Sequence, residues 1–138
     1  MIEKHTPQRR PVTDWLGNPR KTWCGPYAVA TVCGMQYEPS YRLLKKIRGK
    51  RHAKGVTMQN IVTACEQLNA KPKFTKLEKR RKMSKFCKEY LEPNSLYIIE
   101  ISKHVFVIDT RDWTVIDNQL PEWAAMENYH LWNKQVKG

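Results

Sequence analysis

The chain has 138 residues, 41% of them hydrophobic and 28% charged, with 25 Lys and Arg against 13 Asp and Glu for a net charge of +12. That length suits one domain with a modest core, and no apolar run approaches the ~20 residues of a membrane span. Met1-Ile2-Glu3-Lys4-His5 is not followed by the apolar segment of a secretory signal, so a cytoplasmic protein is expected.

Residues 1–14 read as an irregular arm, and Leu16-Gly17-Asn18-Pro19 carries turn signals. Trp23-Cys24-Gly25-Pro26-Tyr27-Ala28 then places a thiol at the mouth of a helix expected from about Gly25 to Cys33, with Gly34 as its stop. Pro26 suits a first turn, where an amide needs no intrahelical partner. Glu38-Pro39-Ser40 opens a second helix carrying Tyr41, Leu43, Leu44 and Ile47, with Pro39 or Ser40 near its start. After a basic loop from Gly49 to Gly55, Thr57 caps a third helix with Met58, Ile61, Val62, Cys65 and Leu68 on one stripe. A short strand is expected over Pro72–Thr75 and a short basic helix over Lys79–Tyr90.

Beyond Glu92-Pro93-Asn94-Ser95 the period shortens to that of a strand. Leu96–Ile101 forms one strand, and His104–Asp109 with Trp113–Asp117 form a hairpin turning near Thr110-Arg111-Asp112. Residues 122–138 read as a C-terminal extension. Helices first and antiparallel strands second give an α+β class, with the N-terminal helices expected to pack on the C-terminal antiparallel sheet.

Cys24, Cys33, Cys65 and Cys87 are scattered without a C-x-x-C pair, which argues against a disulfide framework or a zinc site; neither metal nor cofactor is expected. A reduced compartment suits a working thiol. Cys24 is the candidate nucleophile, because amides at a helix N-terminus carry partial positive charge and favour thiolate. The bland alternative is a buried cysteine that happens to precede a helix.

A thiol catalyst needs a base, an orienter for that base and donors for an oxyanion. Of His5, His52, His104 and His130, only His104 begins a core strand, with Phe106 and Ile108 on its side of the sheet. If the hairpin turn centres between Thr110 and Arg111, Asp117 lies opposite His104; half a residue further, Asn118 does. Asp109 and Asp112 are expected to be solvated at the turn. Asn18, six residues before Cys24, is a candidate oxyanion donor beside the Cys24 amide, or simply a turn former.

Together these residues resemble the papain-like cysteine peptidases, and among them the compact bacteriocin-leader (double-glycine) peptidase group of bacteria and phages. Cys24-Gly25-Pro26 is similar to the nucleophile motif, and Asn18 falls at the offset of the family's oxyanion glutamine, one methylene shorter. Gly55-Val56-Thr57 with the helix after it, His104-Val105-Phe106-Val107-Ile108 and Val115-Ile116-Asp117 resemble further family segments in order, over roughly residues 15 to 120. The resemblance implies a peptidase cleaving a peptide or isopeptide bond with a Cys24-His104-Asp117 triad, or an amidase or acyltransferase using the same groups.

Charge suggests a different use of the same scaffold. Arg42 to Lys54 holds seven basic residues and no acid, and Lys71 to Lys88 holds nine against Glu78 alone. Arg42, Lys45, Lys46, Arg48, Lys50, Arg51, Lys79, Arg80, Arg81 and Lys82 are the candidate surface for nucleic acid or an acidic protein, with no membrane partner expected. Trp15, Trp23, Tyr27, Tyr37 and Tyr41 lie among basic residues, a mixture that stacks bases or, more commonly, builds a core.

Overall fold

The computed structural model describes residues 4–8, 16, 21–50, 55–73, 81–101, 104–130 and 135–136. They fall into two compact units, residues 1–72 and 73–138.

The first unit is helical. Helix α1 (Cys24–Cys33) follows Trp23, whose backbone is extended at φ −82° and ψ 148°. Its residues from Gly25 to Thr31 are all buried, so this helix has no solvent stripe over that stretch. Gly34 ends it at φ 65°, donating its amide to Ala30 O. Helix α2 (Tyr37–Arg48) buries Tyr37, Ser40 and Leu44 and turns Arg42, Lys45 and Lys46 outward. It starts two residues before Pro39, which a first turn accommodates at no cost in hydrogen bonds. The Ser40 hydroxyl ties α2 to the first helix by donating to Pro26 O at 2.7 Å.

Helix α3 (Met58–Gln67) opens on a reciprocal cap: the Asn60 amide donates to the Thr57 hydroxyl at 3.1 Å, and the Thr57 amide to the Asn60 side chain at 3.0 Å. Ile61, Ala64 and Cys65 form its buried face. Tyr27 and Tyr37, each 1% exposed, belong to this unit's core and offer no face for a stacked base.

The second unit carries the sheet. A two-residue strand β1 (Arg81–Lys82) leads straight into helix α4 (Met83–Tyr90). The helix expected from Lys79 therefore starts at Met83; residues 79–80 lie outside the described part. The backbone of Arg81–Lys82 instead pairs with a strand more than 50 residues away, a long-range partner that local propensity does not register. Pro72 and Lys73 form no strand, and residues 74–75 of that expected element lie outside the described part.

Strands β2 (Leu96–Ile101), β3 (His104–Asp109), β4 (Thr114–Ile116) and β5 (Ala124–Ala125) make an antiparallel sheet in that order. A 3₁₀ turn over Met126–Asn128 follows, and strand β6 (Gln135–Val136) is the partner of β1. Met83, Phe86 and Cys87 of α4 share one apolar cluster with Ile99, Ile101, Phe106, Ile108 and Val115 of the sheet and with Met126 and Tyr129 beyond it. The chain is thus α+β, helices first and antiparallel strands second. No helix among the described residues is long and apolar enough to cross a membrane.

Candidate active site

Cys24 is the first residue of α1 and is half-buried. The turn that presents it is pinned at three points. The Trp23 amide donates to the Tyr37 hydroxyl at 2.9 Å, the Tyr27 amide closes the first helical bond on Trp23 O at 3.2 Å, and Ser40 holds the Pro26 carbonyl. Glycine at the next position has a steric reason: a Cβ on Gly25 would overlap Val56 Cγ2. Val56 immediately precedes the Thr57 cap, so the start of α3 abuts the turn that carries Cys24.

The other cysteines sit in different surroundings, all with free thiols. A hydrogen bond between Cys33 and Cys65 draws the Cys33 thiol down and, with burial, pushes Cys65 up. Burial alone raises Cys87 to about 11.

In the second unit, His104 and Asp117 meet. His104 Nε2 lies 3.1 Å from Asp117 Oδ2, the imidazole partly exposed at 23% and the carboxylate at 0%. The route to this contact differs from the expected one. Val107 pairs with Ile116, Ile108 with Val115 and Asp109 with Thr114, so the hairpin centres between Arg111 and Asp112. Extending that register sets Asp117 across from Phe106, two residues from His104 on the same face. The pair is therefore diagonal, a separation that two long side chains span.

The turn is longer than expected, and both local and long-range bonds hold it. Asp109, expected in solvent, is 0% exposed and forked by Arg111 through Nε at 2.9 Å and Nη2 at 2.7 Å. Burial pushes the Asp109 carboxyl up, but the Arg111 guanidinium and amide outweigh it and hold the group below its ordinary value. Thr110 donates to Glu92 O at 2.7 Å and accepts from the Ser95 amide at 2.9 Å, while Trp113 takes up a left-handed backbone at φ 54°.

Asp117 is held from both oxygens. Oδ1 accepts the amides of Gln119 at 2.8 Å and Leu120 at 3.0 Å. Oδ2 receives His104 and, at 2.5 Å, the hydroxyl of Tyr129. Burial alone would push this carboxyl up; the bonds from His104, Tyr129 and Gln119 prevail and hold it at about 2. An ionised carboxylate only accepts, so His104 donates through Nε2 and the neutral ring carries its lone pair on Nδ1.

Tyr129 was not visible from sequence. It lies 12 residues past Asp117, and no periodicity links it to the hairpin. The nearest signal is the alternation of Val115-Ile116-Asp117, which marks Asp117 as sharing a face with Val115.

The remaining histidines do other things. His5 donates through Nε2 to Met35 O at 2.8 Å, His130 sits exposed with its ring 4.7 Å from that of Tyr129, and His52 lies outside the described residues. Asn118 is not the residue that holds His104 in this register. Asn18 also lies outside the described residues, while Cys24 belongs to the first unit and the His104–Asp117 pair to the second. Among the described residues no three His, Cys, Asp or Glu side chains gather as metal ligands would. A scan against protein-family models gives no match, and searches of curated proteins and of solved structures give none either.

Proposed function

We propose that the protein is a papain-like cysteine peptidase in which Cys24 attacks a peptide or isopeptide carbonyl. The observation that carries this reading is the buried, ionised Asp117 bound to Nε2 of a partly exposed histidine at a strand end, an arrangement that leaves Nδ1 as the basic nitrogen. A cysteine opening a helix supplies the matching nucleophile.

In this mechanism His104 Nδ1 takes the Cys24 thiol proton, and Sγ bonds to the carbonyl carbon while the C=O electron pair moves onto oxygen. The Cys24 amide and Asn18 donate to that oxyanion. Collapse expels the amine, which leaves with the proton from His104, and a thioester remains. Water, deprotonated by His104, attacks the thioester; the carboxylic acid departs and the thiol is restored. An amine or a non-peptide amide in the same steps makes the chain an acyltransferase or amidase.

The test is a map of alkylation by an electrophilic thiol probe near neutral pH, read by peptide mass spectrometry. Cys24 is expected to react first, at least tenfold faster than Cys65 or Cys87, and Cys24→Ala to lose that adduct. Alkylation confined to Cys33 overturns the proposal. A companion measurement addresses the meeting of the two halves of the triad: modification of Cys24 is expected to shift the ring nitrogens of His104 in NMR spectra.

One observation favours a second reading, binding of a polyanion. Arg42, Lys45 and Lys46 recur at helical spacing on the exposed side of α2, with Lys50 exposed just beyond it. Of the other basic residues, Arg51, Lys79 and Arg80 lie outside the described residues.

A further inference from the structure

The geometry points to Tyr129 as a positioning residue that fixes which ring nitrogen of His104 carries the proton. This inference rests on the proposed thiol chemistry for its rate effect alone; the placement of the proton stands without it.

Three distances define the arrangement. Tyr129 Oη is 2.5 Å from Asp117 Oδ2, Oδ2 is 3.1 Å from His104 Nε2, and Oη is 3.3 Å from the same nitrogen. The short O–H···O⁻ contact commits the hydroxyl proton to the carboxylate. The lone pairs of Oη then face Nε2–H, which is shared between two oxygen acceptors. Such a proton is harder to move to Nδ1 than one held by a single acceptor, because the Nδ1–H tautomer would set the Nε2 lone pair against two oxygens.

The hydroxyl is also well fixed. Tyr129 is 4% exposed, its ring centroid 5.1 Å from that of Phe106, and its amide closes on Met126 O at 3.1 Å. Met126 in turn donates its amide to Trp113 O at 2.9 Å, and β5 pairs with β4 through Thr114–Ala125 and Val115–Ala124. On the far side of the carboxylate, the Gln119 and Leu120 amides stop Oδ2 from rotating away. The rival explanation is that Tyr129 merely fills space beside a buried acid; Phe would then serve as well.

Tyr129→Phe keeps the ring and deletes the hydroxyl, so it separates the two. The readout is the ¹⁵N spectrum of the histidine rings in the full chain, at a pH where His104 is neutral. In the parent protein His104 is expected to be protonated on Nε2. In Y129F the ratio of Nε2–H to Nδ1–H is expected to fall about fivefold, the worth of one neutral hydrogen bond, and alkylation at Cys24 to slow by a similar factor. An unchanged ratio in Y129F overturns the inference, whatever happens to thermal stability. If Y129F does not fold, the parent protein decides: an exchange-protected hydroxyl proton with a cross-peak to the His104 ring is expected, and its absence overturns the inference. Failure of Cys24 to react would sink the peptidase reading while leaving the tautomer ratio to be judged by itself.

Discussion

Asp117 shows how the ionisation of a single buried side chain enters the stability of the fold. Its carboxyl titrates at about 2 in the folded protein against an ordinary 3.8, so the unfolded chain binds the proton more readily. The stabilisation is complete above the unfolded value and is lost as pH falls from about 4 through about 2; a shift of this size is on the order of 2 kcal/mol. Urea midpoints measured between pH 7 and pH 2.5 are expected to drop over that window in the parent protein. Asp117→Asn is expected to lower the midpoint at pH 7 and flatten the acid decline; an equally steep decline in the variant would assign it to other groups, Asp109 first. Residue identities at the site were partly legible beforehand. His104 and Asp117 stand out because strand alternation places them, whereas the hydroxyl that completes the pair comes from a segment with no pattern of its own.

At the level of elements, helix starts and stops were the most readable feature. Gly34, Gly49 and Thr57 punctuate the chain through backbone conformations and caps that are local chemistry. The hairpin register was not readable. The turn holds an Asp109–Arg111 fork and a left-handed Trp113, and Thr110 is tied to Glu92 and Ser95, 18 and 15 residues away, partners that local propensity does not register. The contact between Gly25 and Val56 was equally hidden, although its consequence is sharp. Gly25→Ala puts a methyl group where Val56 Cγ2 stands and is expected to destabilise the protein by about 1–3 kcal/mol. Val56→Ala in the same chain is expected to recover part of that loss, giving a non-additive double-mutant cycle by chemical denaturation. Additive losses would mean that the helix start moves instead.

Over the whole chain, the order of helices before strands follows from periodicity changing near residue 95, and that order was legible. The pairing of Arg81–Lys82 with Gln135–Val136 was not, since two-residue strands carry no period. Net charge is a property at this scale too, and it makes the polyanion reading measurable. Retention on duplex DNA is expected to fall with salt at a log–log slope of about −0.9 for each phosphate neutralised. Lys45→Gln with Lys46→Gln is expected to reduce that slope by about 2. No retention at low salt, or a slope untouched by the double variant, would reduce the α2 face to a solvated surface.

The segment after β4 has a practical consequence for anyone trimming this protein. Met126 and Tyr129 are 3% and 4% exposed and lodge among the sheet's apolar side chains. A recombinant version terminated at Leu120 would carry a hollow lined by Phe106 and its neighbours, along with an unprotected sheet edge at β4. Such a product invites aggregation in the expression host, so boundaries for crystallisation or fusion are better drawn beyond Val136, which keeps the β1–β6 pair as well.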